Sequence, residues 1–345
     1  MSRIVAVDWL GRGGIAQCSE AWAIELEATG HKVNVVTRAG RELSAIAGVV
    51  TGPTEQGSAL RSHMALCRYA ASTILELQPD IVVIQNYVIP ALEDVVHRAA
   101  RSVGASVVFV VHDHRHHEWR EGGHVGLRRQ IARATHVVAH SAVVADGVID
   151  KWRRREIEVI PLPVPFAMID RIGQSVFHQV DDQLLAAQVG VLNRRYKGTD
   201  TVISLAERGV PGWTFALAGS GAPSSPAVES VDAFLDAGDL VASVQASDVM
   251  LLPYVHATQS AVVVLSQMCG TVAVASAVDG IREQIDDGVT GLLIAPGSSV
   301  DVWADKLQEL SDRSLRVRMA TAGAASVRRQ HEQFQAGICS IIDRC

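Results

Sequence analysis

The sequence has few aromatic residues and no excess of basic residues. Aromatic side chains make up 5% of the 345 residues, although hydrophobic residues as a whole make up 48%. The net charge of −6 is opposite in sign to the basic excess of a typical nucleic-acid-binding protein, so we expect no nucleic-acid partner. Short runs of Val and Ala supply the apolar material, which predicts a folded globular protein with buried strands.

Cysteine is scarce and shows no regular spacing. The five cysteines, an odd number, lie at positions 18, 67, 269, 339 and 345. Neither a disulfide framework nor paired metal-ligand spacing is present in this pattern. We therefore expect a reducing compartment, the cytoplasm.

Apolar runs of membrane length are also missing. The N-terminal apolar stretch is too short for a signal peptide, and residues 261–278 are interrupted by Ser266, Gln267 and Gly270. Membrane contact is expected to be peripheral at most. The basic stretch KWRRR, 151–155, is open to two interpretations: a solvated helix end or a surface that touches anionic lipid.

Short Val/Ile-rich runs alternate with amphipathic stretches, a pattern typical of parallel sheets covered by helices. One series of strands extends from RIVAVDW to EIEVIPLPV, and a second begins with AAQVGVL and includes LVASVQASDVMLLP. We predict an α/β protein with two doubly wound domains facing a central cleft: residues 1–168, residues 169–325, and a C-terminal helix, 326–345, that packs back on the first domain. Ligands of such folds bind at the carboxyl ends of the strands.

Glycines and histidines follow two strands of the first half. Gly11, Gly13 and Gly14 precede a helix but do not form a G-x-G-x-x-G motif, so they indicate either a ligand-binding loop or a plain turn. The stretch VVHDHRHHEWREGGH, 110–124, permits three interpretations: a metal cluster of His112, His114 and His116, a single cleft residue His112, or a solvated loop.

Cations and small polar residues follow the strands of the second half. Arg194, Arg195 and Lys197 crowd one turn, which suggests a phosphate ligand rather than a solvated basic turn. Gly219 follows another strand. Thr258 suits a helix N-cap, so Thr258, Gln259 and Ser260 are predicted to hold an anion on backbone N–H groups.

The order of GVLNRRYKG, LAGSGAP, ASDVMLLPY, ATQSAVVVLSQMCGTVAVAS and VDGIREQIDDGVTGLLIAP resembles the nucleotide-sugar domain of retaining GT-B glycosyltransferases of family 4. In the first half, GGIAQCSEAWAIELEATGHKVNVVT, VVFVVHDHRHH and ATHVVAHSAVV resemble the acceptor domain of that family. The resemblance covers roughly residues 3–299. It implies transfer of a sugar from a nucleoside diphosphate sugar to a hydroxyl of a sugar, metabolite or glycoconjugate, with retention and without a metal or other cofactor.

The resemblance also implies roles for particular residues. Lys197, with Arg194 or Arg195, would neutralise the donor diphosphate, and His112 would contact the transferred sugar. The loop residues Gly13 and Gly14 would approach the diphosphate or the acceptor. The remaining donor-binding positions are Gly219, Thr258, Gln259, Ser260, Ala261 and Glu283.

The sequence departs from the family at two carboxylates. Most members have two glutamates at positions that align here with Ala257 and Leu265. The chain instead resembles a subgroup with PY…ATQSG, in which Ala261 replaces the last glycine. Two alternatives follow: a catalytically silent scaffold, or a nucleotide-sugar epimerase or hydrolase on the same fold. The sequence leaves the donor base, the sugar, the acceptor and the oligomeric state open.

Overall fold

A computed structural model describes residues 1–40, 42–45, 48–54, 57–114, 124–152, 154 and 156–345. The chain divides into two compact units, Met1–Pro163 together with His331–Cys345, and Val164–Gln330. The predicted boundaries were at residues 168 and 325. No helix of the described residues is both long enough and apolar enough to cross a bilayer.

The first unit contains a parallel sheet with the order β3-β2-β1-β4-β5-β6-β7. Its strands are β1 Arg3–Val7, β2 Lys32–Thr37, β3 Val49–Thr51, β4 Ile81–Ile84, β5 Ser106–Val111, β6 His136–Ala139 and β7 Glu158–Val159. Its helices are α1 Gly13–Ala28, α2 Ala59–Leu77, α3 Pro90–Ser102, α4 His124–Arg133 and α5 Ala142–Trp152. The strand order reverses between β1 and β4, as in a doubly wound fold.

The second unit repeats this plan, with the order β10-β9-β8-β11-β12-β13. Its strands are β8 Leu184–Val189, β9 Trp213–Ala218, β10 Glu229–Val231, β11 Val249–Leu252, β12 Val272–Ser276 and β13 Gly291–Ile294. Its helices are α6 Thr199–Arg208, α7 Ala237–Gln245, α8 Ala261–Cys269, α9 Asp279–Arg282 and α10 Val300–Glu309. The order reverses between β8 and β11.

The apolar strands are continuous because both faces of each sheet are covered. In β1, Val5 and Val7 belong to the apolar cluster on one face, whereas Ile4 and Ala6 belong to the cluster on the other. This two-residue alternation is the side-chain period of a strand. Burial on both faces explains why the strands of this chain lack the polar alternation of a half-exposed sheet.

The last helix, α11 Arg313–Asp343, begins in the second unit and ends in the first. Its final turns bury Phe334 and Ile338 in the same cluster as Ile4 and Trp22. Gln335 Nε2 donates a hydrogen bond to Glu25 Oε2 at 2.7 Å. The C-terminal segment thus covers one face of the first sheet.

The structure corrects the prediction for LVASVQASDVMLLP, 240–253. The first part of this segment lies in α7 and only its end forms β11, because apolar residues of a buried helix and a buried strand look alike over a short run. The short strands β3 and β10 were not predicted. Some predicted positions lie outside the described residues: the candidate metal ligand His116 with the rest of 115–123, and Arg153 and Arg155 of KWRRR.

Replacing Phe334 with Ala should lower the free energy of unfolding by about 3–5 kcal/mol, because the ring is fully buried and packs edge-on against Trp22, with centroids 5.8 Å apart. Val317→Ala, on an exposed part of the same helix, should cost less than about 0.5 kcal/mol. Urea unfolding followed by tryptophan fluorescence measures both. Equal losses in the two variants would contradict the packing role of Phe334.

Acid should destabilise the protein through His97 of α3. Its ring nitrogens are buried without a hydrogen-bond partner among the described residues, and burial lowers its pKa to about 4. An unfolded histidine titrates near 6.5, so the unfolded chain binds more protons below that pH. The stability contributed by neutral His97 is complete above pH 6.5 and falls by up to about 1.4 kcal/mol per pH unit toward pH 4.

His97→Leu should therefore flatten the dependence of the unfolding free energy on pH between 6.5 and 4.5. The control is His178→Leu, because the side chain of His178 is 92% exposed. Urea unfolding at a series of pH values compares the slopes. A slope unchanged by His97→Leu would show that this histidine is not the source of the acid sensitivity.

Candidate functional site

The loops that follow β8 and β11 meet at the point where the strand order of the second sheet reverses. Lys197, in the first loop, donates a hydrogen bond from Nζ to Tyr254 Oη in the second at 2.7 Å. The same ammonium lies 4.1 Å from the centroid of the Tyr254 ring. Since ligands of doubly wound folds bind outside the carboxyl ends of the strands at this reversal, Lys197 occupies the expected position for a ligand-binding cation.

Lys197 remains protonated at neutral pH. Burial by itself favours the neutral amine, but the interactions with Tyr254 and Tyr196 outweigh it and raise the pKa above its ordinary value of 10.5. The other two predicted cations, Arg194 and Arg195, begin the short 3₁₀ turn that ends at Lys197, and both are exposed. The turn therefore combines one half-buried charge, hydrogen-bonded to Tyr254, with two exposed charges.

Two glycines allow these loops to pack backbone against backbone. Gly198 has φ +62°, and a Cβ atom there would lie 1.9 Å from the carbonyl oxygen of Pro253. Gly219 has φ +139°, and a Cβ atom there would lie 1.7 Å from the carbonyl oxygen of Gly190. The loops after β8, β9 and β11 are consequently held together by contacts that exclude any side chain.

Helix α8 begins after Ser260, which corrects the prediction that Thr258 is its N-cap. Ser260 Oγ accepts the N–H of Val263 at 3.4 Å, the bond that defines an N-cap. Thr258 lies two residues earlier, where the chain is still irregular. The physical reason is that the hydroxyl must lie directly before the first helical turn to reach its N–H groups.

The backbone of Ser260 is held by Gln284. Gln284 Oε1 accepts the Ser260 N–H at 2.7 Å, and Gln284 Nε2 donates to the Ser260 carbonyl at 3.0 Å. The Ser260 N–H, which the sequence predicts to bind an anion, is therefore hydrogen-bonded to a side-chain amide in this structure. Ala261 opens the helix, where a first-turn N–H has no acceptor within the helix.

The loop before α8 rests on α9. Gly280 packs so closely on Thr258 that a Cβ atom at Gly280 would lie 2.1 Å from the Thr258 carbonyl oxygen. Glu283, just beyond α9, is exposed. The two positions where most family members have glutamates differ in environment: Leu265 is buried in the core, and Ala257 is half-buried beside the cluster around Tyr254.

In the first unit, a buried carboxylate shapes the glycine loop after β1. Asp8 Oδ1 accepts the N–H groups of Leu10 and Gly11, both at 2.8 Å, and Oδ2 accepts the hydroxyl of Ser19 at 2.7 Å. Burial raises the pKa of Asp8 in spite of these bonds. The loop geometry therefore depends on a residue outside the predicted glycines.

The predicted glycines open helix α1. Gly13 has φ +65°, a conformation that favours glycine, and its N–H donates to Glu42 Oε2 at 3.3 Å. Gly14 is the next residue of the helix. The Gly13 N–H, which belongs to the predicted ligand-binding turn, is thus hydrogen-bonded to the carboxylate of Glu42.

His112 directly follows β5 and is 7% exposed. Its ring is hydrogen-bonded to the backbone of Gln85, and burial lowers its pKa to about 4, so it is neutral at physiological pH. The ring centroid lies 5.1 Å from that of His140, which follows β6. His112 therefore lies at the carboxyl edge of the first sheet, where the sequence placed it.

Four residues of these loops were not predicted from the sequence: Asp8, Tyr254, Gln284 and His140. Asp8 and Tyr254 had a usable signal, because each is a polar residue at the end of an apolar strand. Gln284 had none, since its role depends on a contact with Ser260 that is 24 residues away in sequence.

Two family models match the chain, one in each half. The model described as Glycosyltransferase Family 4 matches residues 12–167, and the one described as Glycosyl transferases group 1 matches residues 184–313. Each half of the chain thus matches a glycosyltransferase domain model, and the two doubly wound sheets have the arrangement of the GT-B fold.

One curated relative and two solved structures illustrate what the chain is similar to. D-inositol 3-phosphate glycosyltransferase of Mycolicibacterium smegmatis is 29% identical over 213 residues, which cover 55% of this chain and 48% of that protein. The chain thus aligns with about half the length of that relative. Sucrose-phosphate synthase from Thermosynechococcus elongatus has a similar fold, with a TM-score of 0.78, 16% identity and coverage of 100% and 99% of the two chains. Anabaena HepE, solved with UDP and glucose, has a TM-score of 0.78, 16% identity and coverage of 100% of both chains.

Gly219→Ala should lower the free energy of unfolding by about 3 kcal/mol or more, because it combines a positive φ with a Cβ that has no space. Gly209→Ala is the matched control. Gly209 has φ +73° but open space around it, so only the backbone strain of about 1 kcal/mol applies. Urea unfolding measures both, and equal costs would contradict the close backbone approach as the reason for glycine at 219.

Proposed function

We propose that this protein transfers a sugar from a nucleoside diphosphate sugar to an acceptor hydroxyl, with retention at the anomeric carbon and without a metal ion. The acceptor is a sugar, a metabolite or a glycoconjugate. The observation that carries the proposal is the fixed, half-buried Lys197 at the strand-order reversal of the second sheet, bonded to Tyr254. A protonated amine beside glycine loops and a helix N-terminus is suited to a diphosphate.

The donor diphosphate would be bound by charge and by backbone dipoles. Lys197 and one of Arg194 and Arg195 would stabilise the negative charge that grows on the leaving phosphate. The N–H groups of Gln259 and Ala261 would add dipoles at the start of α8, and Gly219 would let the nucleotide approach the backbone closely. Thr258 and Glu283 complete the proposed donor set.

The chemistry needs no carboxylate pair. In a front-face reaction the leaving phosphate itself accepts the proton of the acceptor hydroxyl, so the protein contributes positioning and charge stabilisation. Retaining glycosidases, by contrast, use two carboxylates. Ala257 and Leu265 at the glutamate positions are therefore compatible with turnover.

His112, neutral because it is buried, would contact the transferred sugar by hydrogen bonding, and Gly13 and Gly14 would line the acceptor or diphosphate side.

The relatives guide the choice of substrates for a first test. One relative is named D-inositol 3-phosphate glycosyltransferase, and one structural neighbour was solved with UDP and glucose. UDP-glucose and D-inositol 3-phosphate are thus the first donor and acceptor to examine.

The five free thiols are compatible with the proposed cytoplasmic location. Arg154 of KWRRR donates to the Thr135 carbonyl at 2.9 Å, which favours a structural role for that residue over lipid contact.

The missing glutamates also support a second candidate, a silent protein that binds nucleotide without turnover. Calorimetric titration with UDP, GDP, ADP and TDP and their sugar conjugates, each with Mg²⁺ and with EDTA, separates the two. Metal-independent binding of one nucleotide, followed by transfer with retention in an NMR assay of the product anomer, is the expected result. Binding without transfer across the acceptor panel would favour the silent protein.

Lys197→Ala should lower kcat by about 10²–10³-fold and weaken binding of the nucleoside diphosphate, because it removes one charge that stabilises the departing phosphate. Arg208→Ala is the matched control, since Arg208 is an exposed cation at the other end of α6 that pairs with Asp301. Steady-state kinetics and calorimetry measure the two effects. Near-wild-type turnover and donor affinity in Lys197→Ala would refute the assignment.

A further inference from the structure

Three side chains with metal-ligating atoms meet at the carboxyl edge of the first sheet. Cys18 of α1, His112 after β5 and His140 after β6 each place one ligand atom within 4.8 Å of the other two. Cys18 Sγ lies 3.4 Å from His140 Nε2. All three residues are more than nine-tenths buried. The three residues lie far apart in the sequence, which explains why the sequence showed no metal-ligand spacing for this set.

Both histidines have the hydrogen bonds that orient a metal ligand. His140 Nδ1 lies 2.8 Å from the carbonyl oxygen of Ile160, so Nδ1–H donates and the lone pair of Nε2 is directed toward Cys18. The His112 ring is hydrogen-bonded to the backbone of Gln85. Metal-bound histidines commonly donate their second ring N–H to a carbonyl or carboxylate, which fixes the tautomer.

We propose that Cys18, His112 and His140 form a binding site for one zinc-class cation. A tetrahedral zinc site with Zn–S near 2.3 Å and Zn–N near 2.05 Å separates its ligand atoms by about 3.4–3.6 Å. The Cys18–His140 pair already has this separation, and the remaining pairs, at most 4.8 Å apart, need to close by no more than about 1.4 Å. One thiolate and two imidazoles suit Zn²⁺, Co²⁺ or Cu⁺, whereas Mg²⁺ and Ca²⁺ require oxygen ligands.

The alternative use of a Cys–His pair is a reactive thiolate, and the environment disfavours it. Reactive thiolates lie in partly exposed sites, whereas Cys18 is 2% exposed and its sulfur faces the two imidazoles. A bound cation needs no such access to substrate, and it displaces the thiol proton when it binds.

A cation bound at this site would prevent His112 from contacting the substrate. This consequence rests on the proposed function, in which His112 contacts the transferred sugar. Zinc-class ions would then inhibit transfer, although the reaction itself needs no metal. Binding of the ion can be measured without any assay of transfer, so failure of one proposal is distinguishable from failure of the other.

Titration of the reduced protein, residues 1–345, with Co²⁺ provides the test. We expect one Co²⁺ per chain with the near-ultraviolet charge-transfer absorption of a cobalt–thiolate bond, reversed by added Zn²⁺. Cys18→Ala should abolish that band and weaken binding by more than the roughly 10–100-fold that loss of a second-shell partner costs. The matched control is Cys67→Ala, which removes another buried cysteine of the same unit and should retain the band.

Two further variants guard against a loss of binding that comes from misfolding. Cys18→Ser preserves the shape of the side chain and should also lose the thiolate band, and His140→Gln should weaken binding while circular dichroism stays native. The absence of a cobalt–thiolate band in the wild type, or its persistence in natively folded Cys18→Ala, would overturn the proposal.

Discussion

The carboxyl edge of the second sheet depends on backbone contacts that leave no room for a Cβ atom. Gly219 lies against Gly190, and Gly198 lies against Pro253, so three strand-end loops share one tightly packed layer. Any side chain at Gly198 or Gly219 would separate these loops by more than an ångström. This packing sets the distance between the turn that contains Lys197 and the loop that contains Tyr254.

Lys197 is half-buried, unlike the two arginines of the same turn. The hydrogen bond to Tyr254 and the proximity of its ammonium to the phenol ring hold a long, flexible side chain in one place. Arg194 and Arg195 are exposed on the same turn. An anion-binding site gains from such preorganisation, because the charge need not be ordered when the ligand arrives. The Gln284 clamp on Ser260 similarly orders the start of α8 before any ligand is present.

Much of the fold was predictable because burial on both faces of a parallel sheet requires continuous apolar runs. The strands β1, β2, β4 and β5 were visible for that reason. The edge strands β3 and β10 were not, because each has three residues, half-buried or exposed, and little apolar signal. The segment 240–253 was misassigned since small and apolar residues fit a buried helix as well as a strand.

By itself, the sequence determined the α/β class, the repeated doubly wound plan and the presence of cations and glycines after particular strands, because these depend on local patterns of apolar residues and turns. Tertiary structure alone decided which groups meet. The pairing of Lys197 with Tyr254, the capture of the Ser260 backbone by Gln284, and the meeting of Cys18 with His140 join residues 57, 24 and 122 positions apart. Such contacts depend on strand order and loop packing, which leave no periodic trace along the chain.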